Sequence, residues 1–162
     1  MSANTSRLRR WDLVEMVSET QQFADLKILV IYRDPIAATY SALSRNFTNS
    51  VVEQSRIVED NLLYIQNQLL RLDRDFYYTL QYEDFIENPQ KYAVPLANYL
   101  ELPLEDIQIG LKKVRKNPEK WRTGLKEDEI EYLVNFFDES RKSLWPIFYE
   151  PVYSVLNYNK PS

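Results

Sequence analysis

Two apolar runs in this chain are short and rich in β-branched and aromatic residues, and both sit between longer stretches of helical period. The first is "KILVIY", residues 27–32, ended abruptly by Arg33, Asp34 and Pro35. A continuous apolar run of this length, bounded by a turn signal, predicts a buried parallel strand. The second is "DFYYTLQY", residues 75–82, which Glu83, Asp84 and Phe85 are expected to break. Between the two strands lie two helical segments. Asp34 reads as an N-cap and Pro35 as the first helical residue. Ile36, Tyr40, Leu43 and Phe47 then share one face. Residues 51–73 give the longest helix, with Val58, Leu62, Ile65, Leu69 and Leu72 alternating steps of four and three. Such a stripe is most simply core packing.

Upstream, residues 7–23 carry Leu8, Trp11 and Val14 at helical spacing. Downstream, "NPQKYAVPLANYL" restarts a helix, with Asn88 as its cap and Pro89 in its first turn. Residues 104–115 repeat the helical period in Leu104, Ile107, Leu111 and Val114, and residues 127–143 in Ile130, Leu133, Val134 and Phe137. The Pro- and Tyr-rich tail, 144–162, reads as irregular chain on the surface. Strands that alternate with helices predict an α/β layout with a parallel pair and a right-handed connection.

Composition narrows the chemistry. The chain has 162 residues, enough for a single domain spanning 1–162, and neither an internal repeat nor a low-complexity linker. It has neither cysteine nor histidine. That removes disulfides, thiolate zinc sites, the commonest metal ligand and the commonest general base, so no metal is expected. The net charge of −4 argues against a nucleic-acid binder held by phosphate neutralisation. The apolar runs are too short for a membrane span, and the basic N-terminus leads into no apolar signal core, so a cytoplasmic location is expected. Only Gly110 and Gly124 are glycines, so no glycine-rich phosphate loop can be drawn.

The polar residues after the first strand point to an anion. Ligands of open α/β sheets bind at the carboxyl ends of the strands. Arg33 stands at such an end, beside the positive end of the following helix, with Ser41 in its second turn. A fork-shaped cation, a helix start and a hydroxyl suit a phosphate or sulfate. The plainer alternative is that Arg33 pairs with a carboxylate and Ser41 is an ordinary helical serine. A second basic cluster, "VRKNPEKWRTG" at 114–124, sets Arg115, Lys116, Lys120 and Arg122 around Trp121. A tryptophan among cations can stack a base while they hold a phosphate, although a solvated charged loop is the commoner meaning of such a run. Tyr82 is a further aromatic at the ligand edge, or else a half-buried strand tyrosine.

Three segments, in order, resemble the sulfotransferases that use 3′-phosphoadenosine 5′-phosphosulfate (PAPS). A strand ends in Arg33-Asp34-Pro35, and a serine, Ser41, follows eight residues after the arginine. A second strand ends in Tyr82-Glu83-Asp84 and is followed by Asn88-Pro89. A later Arg115-Lys116 pair precedes Trp121, with Asn117 where the family has glycine. The resemblance covers the chain from about Asp25 onward. It implies a partial P-loop-type, three-layer α/β fold with a short parallel sheet and mostly helices. It implies that Arg33 and Ser41 bind the nucleotide's 3′-phosphate, that Tyr82 contacts the adenine, and that Arg115 and Lys116 close over the phosphate.

The family's Pro-Lys-x-Gly-Thr-Thr loop, which holds the 5′-phosphosulfate, has no counterpart here, nor does the base that usually accompanies it. The chain therefore reads as N-terminally incomplete relative to the family, with its catalytic residues unassigned. The expected activity, complete only with the missing part, is sulfuryl transfer from PAPS to a hydroxyl or amine. The alternative is a degenerate nucleotide-binding or protein-interaction module without catalysis. In the family's sheet order, the absent strand would leave residues 27–32 as an apolar edge. The N-terminal helix, a second chain or self-association is expected to cover it.

Overall fold

The computed structural model describes residues 12–115 and 120–141. It is a mixed α/β structure in which helices dominate and two short strands pair in parallel. β1 (Ile28–Tyr32) and β2 (Tyr77–Gln81) run in register, Ile28 opposite Tyr77 and Tyr32 opposite Gln81. The first described element is α1 (Leu13–Thr20), capped by the Asp12 carboxylate, which accepts the Val14 and Glu15 N–H groups. Between the strands lie α2 (Pro35–Leu43) and α3 (Val51–Leu69). After β2 come α4 (Tyr82–Glu87), a 3₁₀ turn (Pro89–Tyr92), α5 (Ala93–Leu100), α6 (Leu104–Leu111), the short α7 (Trp121–Gly124) and α8 (Glu127–Arg141).

Alternation along β1 and β2 sorts side chains onto two faces. Ile28, Val30, Tyr32 and Tyr77 point to one side, where Leu62, Ile65 and Leu69 of α3 and Leu13 of α1 pack on them. Tyr78 and Leu80 point to the other, against Ala93 and Leu96 of α5 and Ile107 and Leu111 of α6. A third cluster joins Ile36 and Ala37 of α2 to Trp121 of α7 and to Leu133 and Phe137 of α8. Gly124 lies so close to the Tyr40 ring that an added methyl would overlap it, which explains a glycine at that position.

Several boundaries differ from the expectations. α1 begins at Leu13 within the expected 7–23 helix, of which residues 7–11 lie outside the described set. α2 ends at Leu43, so Phe47 leaves the expected stripe and is 65% exposed. The second strand is shorter than 75–82, running from Tyr77 to Gln81, and Tyr82 already opens α4, which contains Glu83, Asp84 and Phe85. Asn88 makes no capping bond. The 104–115 helix stops at Leu111, where tighter bonds from Lys113 N–H to Gly110 and Val114 N–H to Leu111 close it. The tail, 142–162, lies outside the described residues.

α1 does not cover the outer face of β1. It leans on α3, where the Leu13 N–H donates to Gln68 Oε1 at 2.9 Å. Leu29 and Ile31 remain 39% and 55% exposed. Tyr99 of α5 instead ties the strand starts together: its hydroxyl accepts the Ile28 N–H at 2.9 Å and faces the carbonyls of Phe76 (2.7 Å) and Ile28 (3.0 Å). No described helix is long and apolar enough to cross a membrane.

Candidate functional site

The paired ladder ends with Tyr32 opposite Gln81. Arg33 and Asp34 follow the one strand end and Tyr82 and Glu83 the other, and their side chains meet there. All four residues therefore meet at the carboxyl ends of the strands, where ligands of α/β sheets bind. The Arg33 guanidinium lies over the Tyr82 ring, its Cζ 5.1 Å from the centroid. This is within cation–π range.

Asp34 caps α2 as expected: its Oδ1 accepts the Ala37 N–H at 2.8 Å, with Pro35 in the first turn. Glu83, in the first turn of α4, brackets the Asp34 N–H with both carboxylate oxygens at 3.1 Å. Its Oε1 also lies 3.6 Å from Arg33 Nε. That distance is an ion pair rather than a hydrogen bond, and Nε itself is buried with no hydrogen-bond partner. Part of the positive field at this end is thus already answered from within the chain. Burial pushes the Glu83 carboxyl above the ordinary glutamate range, and the nearby Asp34 carboxylate adds to the rise. Tyr32 is likewise pushed up, first by burial and then by the charges of Glu83 and Asp84.

Asp84 does different work. It accepts from Lys91 Nζ at 2.7 Å and from the Tyr92 hydroxyl, which pins α4 to the turn after it. Lys91 and then Tyr92 hold its carboxyl below the ordinary aspartate range. Tyr92 is pushed well above the ordinary tyrosine range, by burial first and then by its bond to Asp84.

Ser41 is half-buried in the second turn of α2, its carbonyl accepting the Ser44 hydroxyl at 2.9 Å. At 1.5 Å per residue it stands roughly 9 Å along the axis from Pro35, so an anion shared with Arg33 must lie along the first turns of α2. Arg115 is exposed and follows Val114, which packs against the Leu80 cluster. Lys116 and Asn117 lie outside the described residues.

Trp121 corrects one expectation. It is not a stacking platform: it is 5% exposed, wedged against Ile36 and Ala37 of α2 and Leu133 and Phe137 of α8. Its burial nevertheless fixes the described residues on either side of 116–119. Val114 ties one end of that segment to the cluster under β2, and Trp121 ties the other to the first turn of α2. Arg122 covers what remains of the indole, its Cζ 4.4 Å from the ring centroid.

The structure therefore brings Arg33 and Tyr82 into contact beside the start of α2. Glu83 is the member of this group that sequence reasoning passed over as a strand breaker. The equal offset of Asp34 and Glu83 from their strand ends emerges only with β2 ending at Gln81, one residue before the expected end. Among the described residues no group of three acidic side chains is placed to hold a metal. No protein-family model, no curated protein and no solved structure matches the chain.

Proposed function

We propose that this chain is a sulfotransferase-type protein that binds the 3′-phosphoadenosine end of PAPS at the carboxyl ends of its two strands. The observation that carries the reading is the Arg33–Tyr82 contact beside the start of α2. A guanidinium suits a phosphate dianion, and an aromatic ring next to it suits a purine. In this reading Arg33 and Ser41 take the 3′-phosphate, Tyr82 lies against the adenine, and Arg115 and Lys116 approach from the basic segment. Trp121, buried against α2 and α8, does not touch the nucleotide.

In the full reaction an acceptor oxygen or nitrogen would form a bond to sulfur as the bond from sulfur to the 5′-phosphate oxygen breaks. The acceptor proton passes to a base, and adenosine 3′,5′-bisphosphate leaves. Stabilising the charge on the moving group supplies most of the rate in such in-line transfers. The residues named here serve donor binding, and no described residue is assigned to the sulfuryl group or to the base. The second reading, a binding module without catalysis, draws on the Arg33–Glu83 contact, which already compensates part of the site's charge.

Calorimetric titration with adenosine 3′,5′-bisphosphate separates the readings. Saturable binding that Arg33→Ala weakens by about tenfold to a hundredfold, and Ser41→Ala by less, supports a nucleotide site, since charge-assisted bonds are the stronger ones. Absence of binding removes the nucleotide reading altogether. Transfer of labelled sulfate from PAPS to a panel of phenols and sugars then decides between an enzyme and a binding module.

A further inference from the structure

The nucleotide reading leaves the buried carboxylate of Glu83 without a role. It touches three groups: the Asp34 N–H at 3.1 Å through both oxygens, the Arg33 Nε at 3.6 Å, and the field of the Asp34 carboxylate. The Tyr32 hydroxyl and Asp84 are the other titratable neighbours that share this field. The bond to the Asp34 N–H is a true hydrogen bond and survives protonation, because a neutral carboxyl still offers a carbonyl oxygen. The contact with Arg33 is charge alone, too long for a hydrogen bond, and disappears when the carboxyl is neutral. Arg33 is also in contact with the Tyr82 ring, which holds it without a hydrogen bond to Glu83.

We propose that Glu83 is a built-in competitor for the anion at Arg33. Ionised, it neutralises the guanidinium and weakens the site; neutral, it keeps the start of α2 in place and leaves Arg33 to the ligand. The inference rests on the reading of this strand end as an anion site and adds what sets its affinity. Burial raises the Glu83 carboxyl, so its neutral form persists to higher pH than that of an ordinary glutamate. A single unit charge removed from within a few ångströms of a phosphate at a half-exposed site changes affinity by about tenfold.

The test measures adenosine 3′,5′-bisphosphate and, separately, inorganic sulfate binding to the full chain. Sulfate keeps both charges across the working pH range. Wild type, Glu83→Gln, Arg33→Ala and the double variant are compared. Glutamine preserves the acceptor for the Asp34 N–H, so Glu83→Gln is expected to melt no lower than wild type and to bind both anions about tenfold more tightly at neutral pH. Wild type tightens its grip on sulfate as pH falls, and Glu83→Gln shows no such trend. The gain vanishes in the double variant, since it runs through Arg33.

Equal or weaker binding by Glu83→Gln, or a gain that persists without Arg33, overturns the inference while the nucleotide reading stands. Sulfate binding with the expected pattern but no nucleotide binding retains the inference and removes the nucleotide reading. Loss of both ligands in every protein removes both. Should Glu83→Gln fail to fold, the wild-type sulfate series decides alone: affinity that does not rise as pH falls overturns the competitor role.

Discussion

At the residue scale, one register decides the chemistry of this molecule. Tyr32 faces Gln81, so Arg33 and Tyr82, far apart in the chain, come into contact, and Glu83 reaches the amide of Asp34, the N-cap of α2. The acidic residues of this corner leave opposite marks on stability. Glu83 holds its proton more tightly folded than unfolded, so its contribution falls as pH rises through the window above the ordinary glutamate pKa. Asp84 holds its proton less tightly folded, so its stabilisation is present above about pH 4 and fades below it. Urea unfolding at a series of pH values is expected to show a shallower acid loss in Asp84→Asn and, in Glu83→Gln, removal of the decline toward neutral pH.

Trp121 gives a sharper number. Removing a fully packed indole is expected to cost about 3–5 kcal/mol, so Trp121→Ala should shift the urea midpoint strongly while Trp121→Phe keeps most of the stability. The residues that were legible in the sequence here are those whose roles are local. Arg33, Asp34 and Pro35 read correctly as strand end, cap and first helical residue, because capping depends on a few adjacent atoms. Glu83 and Trp121 were misjudged because their roles come from residues remote in sequence.

At the scale of elements, periodicity was a good guide to existence and a poorer one to ends. The α3 stripe is real but divides its labour: Leu62, Ile65 and Leu69 face the sheet, while Val58 turns to the cluster under α8. The 104–115 segment kept its period to Leu111 only, since Gly110 and the lysines after it offer little apolar surface to hold another full turn. Tyr99 was invisible to pattern reasoning. Nothing in its spacing announces that its hydroxyl sits between two strands. Tyr99→Phe leaves the Ile28 N–H and two carbonyls to find other partners, which is expected to cost about 1–3 kcal/mol. Hydrogen exchange should show the Ile28 amide losing protection more than the amides of α8.

At the scale of the whole molecule, the helices wrap the sheet unevenly. Both faces of β2 are packed, yet Leu29 and Ile31 on the outer face of β1 stay open to water. The parallel pair and the strand–helix–helix–strand order followed from sequence. The uncovered face followed only as an expectation that some element must hide it, and α1 went to α3 instead. Exposed apolar β-branched residues on an edge strand favour association. Ile31→Thr keeps the β-branch, so it is expected to change stability by no more than about 0.5 kcal/mol. Static light scattering should at the same time show a lower tendency to aggregate.

The long excursion between the two strands also has a cost in time. A ribosome that has just made Ile31 must still build α2, α3 and the turn beyond before Leu80 exists. At cellular rates of about 5–20 residues per second, β1 waits several seconds without its neighbour. During that interval the nascent chain carries a naked apolar strand, and holding chaperones would find their target there first.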